Sequence, residues 1–143
     1  MPNNLIQSYE VFINAHKKLT EFIETDNNSE KDRAAIIHAY EYTFELWWEF
    51  LQRYLQDYET VTEYGPGATI RNAFQFGIIE EGQKYMDMLR DRNLISYTYK
   101  ENTAIEIHQR IKEQHIQTLN NFIKEFLISL LAKGGILALP FST

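Results

Sequence analysis

The sequence contains no cysteine, so it forms no disulfide and no thiolate-ligated zinc or iron–sulfur centre. It has only three prolines, at positions 2, 66 and 140. Of its six glycines, Gly65, Gly67, Gly134 and Gly135 gather at two places. Long stretches therefore lack both residues that interrupt a helix. Nowhere do about eighteen apolar residues follow one another, so no segment reads as membrane-spanning. The N-terminus lacks the basic start and apolar stretch of a secretory signal. These absences lead us to expect a cytoplasmic protein. The net charge of −6 gives no surplus of Lys and Arg for general binding to a phosphate backbone. A local basic spot for RNA or a nucleotide stays open.

What is present is aromatic and periodic. Hydrophobic residues make up 44% of the 143, and nine Tyr, nine Phe and two Trp are among them. That suits one domain, residues 1–143, with one core. Leu5, Tyr9, Phe12, Ile13, Leu19 and Ile23 recur at helical spacing and predict a helix over 4–24. A turn at 25–29 offers several N-caps. Residues 30–58 carry the clearest pattern, with Ile37, Tyr40, Phe44, Trp47, Trp48, Leu51, Leu55 and Tyr58 on a wide apolar face. Glu41, Glu45, Glu49, Gln52 and Gln56 form the opposing stripe. A loop over 59–69 contains Gly65-Pro66-Gly67. A short helix over 70–76, a third long helix over 79–92 and a last one over 102–133 follow. Ala104, Ile107, Ile111, Thr118, Leu119, Phe122, Phe126 and Leu130 mark the buried side of the last. Gly134-Gly135 is expected to cap it, and an apolar tail, 136–143, follows. The expected fold is all-α, an up-and-down antiparallel four-helix bundle with a short additional helix.

Most familiar catalytic patterns are missing. Gly65-Pro66-Gly67 lacks the strand, helix and lysine of a phosphate-binding loop and reads as a turn. The four histidines are scattered; His108 and His115, seven apart, share a helix face. Metal binding needs three or four converging ligands, so the better reading is histidines at the core edge with one hydrogen bond each. We expect no metal and no cofactor. Asp87 and Asp91 read as a solvated face paired with Lys84, Arg90 or Arg92. No nucleophile elbow is present.

One segment stands apart, from Asp91 to Glu101. Arg92 and Asn93 end one helix, Tyr97 and Tyr99 follow, and another helix begins. Arg92 offers a planar fork for phosphate or carboxylate, Asn93 can bridge backbone or ligand, and each tyrosine pairs an apolar ring with a polar tip. The plainer reading is an Arg–carboxylate pair with two tyrosines covering a helix junction.

Several motifs, in this order and spacing, carry a resemblance. They are Ala39-Tyr40-Glu41-Tyr42-Thr43-Phe44-Glu45 with Trp47-Trp48, Ile70-Arg71-Asn72-Ala73-Phe74 with Gly77-Ile78-Ile79, and Met88-Leu89-Arg90-Asp91-Arg92-Asn93 leading into Thr98-Tyr99-Lys100-Glu101 and Ala104. The chain resembles the substrate-binding subunit family that accompanies minimal nucleotidyltransferases, within the HEPN superfamily. The resemblance implies a helical bundle that forms a homodimer and pairs with a small nucleotidyltransferase protein, many such pairs being toxin–antitoxin systems. In those the helical protein is an RNase toxin with Arg, four residues, His, one residue, Tyr, and the nucleotidyltransferase silences it by adding AMP to that Tyr. This sequence matches at Arg92 and Tyr99, but Tyr97 stands where the His belongs. Activating a ribose hydroxyl without a metal needs a group that exchanges protons near neutrality; histidine titrates near about 6.5 and a phenol near about 10. The leading expectation is therefore a partner subunit of a two-component nucleotidyltransferase, with Arg92, Asn93, Tyr97 and Tyr99 as binding residues and Tyr99 as AMP acceptor. The alternative is a metal-independent RNase using Arg92, weakened by Tyr97. A third is an interaction module that assembles through its apolar tail.

Overall fold

The computed structural model describes residues 3–132. The expected glycine cap at 134–135 and the apolar tail 136–143 lie outside them. Among the described residues all regular structure is helical. Helix α1 is Asn3–Glu24, α2 Glu30–Tyr58, α3 Pro66–Gln75 and α4 Gly82–Leu94. A 3-10 turn, Ile95–Tyr97, leads to α5, Glu101–Arg110; a π turn, Ile111–His115, joins α5 to α6, Ile116–Ala132.

Helix α2 has the bounds its periodicity predicts. Ser29 caps it, its hydroxyl accepting from the Asp32 backbone N–H at 3.0 Å. Acidic Glu30 and Asp32 in the first turn suit the positive end of the helix dipole. Thirteen of its residues are buried, so it forms the spine of the bundle. Gln52 departs from expectation. It is buried and accepts from the Thr69 hydroxyl at 2.6 Å while donating to the Glu63 carbonyl at 2.7 Å. It ties the α2–α3 connection to the spine instead of facing water.

Helix α3 starts earlier than the sequence reading placed it. Gly65, with φ of 114°, turns the chain, and Pro66 occupies the first helical turn. There its missing N–H costs nothing and its fixed φ already suits a helix. Gly77, at φ 75°, then reverses the chain after Phe76.

The ring contacts set the helix directions. Tyr9 of α1 meets Phe50 of α2 and Phe126 of α6 at 5.0 and 5.7 Å between centroids. Phe12 meets Phe122 at 6.2 Å. Trp47 stacks on Tyr85 of α4 at 5.2 Å, and Tyr40, a turn or two earlier on α2, reaches the Met88 carbonyl at 2.7 Å. Numbers thus rise along α2 as they fall along α1 and α4, and α5–α6 runs with α2. This is an up-and-down four-helix bundle, with α3 as the extra helix, around one aromatic core of Phe12, Tyr40, Phe44, Trp47, Phe50 and Phe122. No helix among the described residues is long and apolar enough to cross a membrane.

Candidate functional site at the α4–α5 junction

The junction is built on a buried carboxylate. Asp91, in the last full turn of α4, is 0% exposed. Its Oδ2 accepts from Arg110 Nε at 2.8 Å and from His115 Nε2 at 2.6 Å, and its Oδ1 accepts from Arg110 Nη2 at 2.8 Å. Residues five apart on an α-helix point about 140° away from each other. The π turn removes that obstacle: the Ile116 N–H reaches the Ile111 carbonyl, and the wider turn brings Arg110 and His115 to one carboxylate. The His115 ring stacks on Tyr40 at 5.3 Å. Among the described residues its Nδ1 meets no hydrogen-bond partner, and Nε2 is the ring nitrogen that faces Asp91. Burial works against the Asp91 charge, but the hydrogen bonds from His115 and Arg110 outweigh it and hold the carboxyl below the usual carboxylate range. The expected solvated pairing of Asp91 with neighbours on its own helix is therefore replaced by a buried one across helices. Asp87 remains nearer the surface, with Gln83 at 2.9 Å and Gln114 at 3.3 Å.

The same turn separates the two histidines that sequence spacing puts on one face. His108 faces the α1–α2 connection, with Nε2 2.8 Å from Asp26 Oδ2. Lys112 Nζ lies 2.9 Å from the same oxygen, and the Asn28 N–H donates to Asp26 Oδ1 at 3.0 Å. Burial opposes the Asp26 charge, while Lys112, the Asn28 amide and His108 together lower its pKa. His16 meets Asn120 Oδ1 at 2.7 Å. Each of these three histidines thus has a polar partner, but only His16 and His108 lie toward the edge of the core as expected, while His115 is fully buried within it; no group of metal-ligating residues converges among the described residues.

Arg92 is ion-paired with Glu45 of α2, and Glu45 also accepts from Trp48 Nε1 at 3.0 Å. Arg92 Nη1 donates to Asn93 Oδ1 at 3.2 Å. Its fork is thus held by protein groups, as the plainer reading of this segment has it. Beyond it the 3-10 turn is closed by Thr98, whose hydroxyl donates to the Ile95 carbonyl at 2.8 Å. Tyr97 is 50% exposed and Tyr99 77% exposed. Lys100 Nζ lies 6.0 Å from the centre of the Tyr99 ring. Tyr99 lines an open groove of ≈ 520 Å³ between this junction and the first half of α2, together with Thr98, Arg33, Ile37, His38 and Glu41. Arg92, Asn93 and Tyr97 are not among its walls. The structure therefore splits the four candidate residues: Arg92 is tied to α2 through Glu45, Asn93 is exposed with its Oδ1 on Arg92, and the two tyrosines face out, Tyr99 into a groove. Sequence reasoning missed Arg33, whose only signal is its position on the first turn of α2.

Residues 7–127, nearly the whole described bundle, match the family model described as nucleotidyltransferase substrate binding protein like. The chain belongs to that family. A relative within reach of direct comparison is a Haemophilus influenzae protein named probable ribonuclease HepT, 27% identical over 89 residues. That match covers 59% of this chain and 61% of the relative, so the chain spans less than two thirds of the protein it resembles. A Thermus thermophilus protein of known crystal structure superposes with a TM-score of 0.71 at 30% identity, over 83% of this chain and 98% of that one. The motif residues that carry the resemblance prove largely architectural: Tyr40, Glu45 and Trp47 hold α4 against α2, and Trp48 donates to Glu45 and packs on Tyr64.

Proposed function

We propose that this family member is the partner subunit of a two-component nucleotidyltransferase, acting in the cytoplasm and presenting Tyr99 as the hydroxyl that receives AMP. The observation that carries this reading is the contrast at the junction. Tyr99 is the most exposed aromatic of the segment and borders a groove, while Arg92, beside it in the sequence motif, is neutralised by Glu45. In the proposed step the Tyr99 oxygen attacks the α-phosphorus of ATP held by a separate small nucleotidyltransferase. The new bond is tyrosyl O–P, the bond to pyrophosphate breaks, pyrophosphate leaves, and the phenolic proton passes to a base of the partner enzyme. This chain needs no cofactor for that role. It is proposed to work as a homodimer in a toxin–antitoxin pair.

The test is incubation of the purified chain with its cognate nucleotidyltransferase and ATP, read by intact-mass and peptide mass spectrometry. We expect one AMP on Tyr99, loss of the adduct in Tyr99→Phe and its retention in Tyr97→Phe. Absence of both complex and adduct removes the basis of this reading.

The name of the Haemophilus influenzae relative favours a second reading, a metal-independent RNase centred on Arg92. The Glu45 pair and Tyr97 both weaken it, since neither leaves a free cation beside a base effective near pH 7. RNA cleavage equal in the native chain and in Arg92→Ala assigns any activity to a contaminant. Tyr97→His is expected to raise cleavage if the scaffold is competent.

A further inference from the structure

Arg33 stands on the first turn of α2 and walls the same groove as Tyr99. Its Nε is buried and meets no acceptor among the described residues. A buried N–H without an acceptor is costly, and buried polar groups in proteins are nearly always satisfied. Glu30, Glu41 and Glu101 line the same groove. One guanidinium against three carboxylates repels a multiply charged anion. It suits a ligand with at most one negative charge, placed at Arg33, and hydrogen-bond donors facing the carboxylates. Ile37 and Ile95 add apolar wall for a flat body.

A nucleoside joined through a phosphodiester has these properties. Its phosphate carries one charge, its ribose hydroxyls and exocyclic amine can donate to carboxylates, and its base presents flat faces that pack on apolar walls. The groove, at ≈ 520 Å³, lies within the roughly 300–1,000 Å³ of small-molecule sites. We infer that the groove is a seat for the nucleoside monophosphate once it is esterified to Tyr99, with the Arg33 guanidinium donating to the phosphate. This rests on Tyr99 being the acceptor. The chain then holds its own modification, and triphosphate is excluded from the same place. Tethering supplies an effective concentration of order millimolar, so even weak intrinsic affinity suffices to keep the adduct seated.

The test uses the unmodified full chain and the methyl ester of AMP, a soluble phosphodiester with one negative charge, titrated by amide NMR. We expect a Kd of roughly 0.1–1 mM, with shifts at Ile37, Ile95 and Thr98. Arg33→Met is expected to weaken it by about tenfold, Arg33→Lys by less, and ATP to bind more weakly than the ester. Circular dichroism of both variants checks that they fold; if Arg33→Met does not, the Arg33→Lys effect and the ATP ordering carry the test. No shifts at these amides, equal binding by all three chains, or tighter binding of ATP overturns the seat. Adduct formation on Tyr99 without ester binding leaves the acceptor reading standing and removes only the seat. Ester binding at the groove without any adduct overturns the acceptor reading, and the seat for an esterified nucleotide with it, leaving only a phosphodiester site in the groove.

Discussion

Replacing Asp91 by Asn keeps the shape of the side chain and removes its charge. Three donor groups converge on that carboxylate, Arg110 Nε, Arg110 Nη2 and His115 Nε2, all within 2.8 Å. An amide offers one acceptor oxygen and one NH2, so a donor is set against a donor. His115 can relieve part of the conflict by carrying a proton on Nδ1, which meets no partner among the described residues, and accepting at Nε2. Arg110 cannot lose its proton, and its side chain is 33% exposed, so water softens its loss only in part. Breaking a buried pair from one side costs roughly 3–5 kcal/mol; the partial exposure of Arg110 puts the expected cost near the lower end, about 3 kcal/mol. Urea unfolding followed by circular dichroism at neutral pH measures this as a fall in the midpoint with an unchanged slope. The native chain is also expected to lose stability in acid. Asp91 and Asp26 both have folded pKa values below their unfolded ones. Their contribution is therefore fully present above the unfolded value and is lost as pH falls through the lowered folded values. Asp91→Asn removes the Asp91 part of that loss. A cost under about 1 kcal/mol, or an acid profile the same as that of the native chain, would falsify the account of this cluster.

Three other outcomes are expected. Ser29→Ala removes the α2 cap and should cost about 1 kcal/mol in the same unfolding assay, whereas Ser29→Asp should cost little. Gly77→Ala places a side chain at φ 75° with open space around it, so the cost should be backbone strain alone, about 1–2 kcal/mol, with Gly77→Asn losing less. In alkali, burial raises the Tyr9 phenol to about 12 and pushes Tyr40 and Tyr85 up as well. Their folded values lie above the unfolded ones, so their contribution is complete below the ordinary phenol range and lost as pH rises through the raised values. Their phenolate absorbance should appear together with the loss of helical signal; appearance while the helices remain intact would contradict the burial argument.

Much of the architecture is legible in the residue pattern because apolar spacing and burial answer to the same helix geometry. The bounds of α2 and the buried side of the last helix follow from spacing alone. Local turn chemistry is where spacing misleads. Gly65-Pro66-Gly67 reads as loop, yet a proline fits the first turn of a helix as well as it fits a bend. The cluster at Asp91 is illegible for another reason: its partners lie 19 and 24 residues onward, on another helix, and meet it only through a turn whose width no periodicity announces. The junction tyrosines are half legible. Their exposure agrees with a helix break, but Arg33, the other notable wall of the groove, comes from a helix whose pattern speaks only of the core.

The π turn also bears on how the length of this chain can change over evolution. Along the last helical run, buried side chains step from Ala104 through Ile107, Ile111, His115, Thr118, Phe122 and Phe126 to Leu130. Seven ordinary turns would use about 25 residues; the seam uses one more, and the wide turn absorbs it. Deleting a single residue between 111 and 115 would let that turn close to ordinary α geometry and leave everything after it in phase. The loss would fall on the Asp91 cluster, which needs the wide turn to bring Arg110 and His115 together. Deleting a residue between 117 and 121 would instead rotate the rest of the helix by about 100°. Phe122 and Phe126 would then swing out of register with Tyr9, Phe50 and Trp47. A helix that looks uniform in sequence thus has one place where a lost position spares the core, and that place is bound to the buried carboxylate.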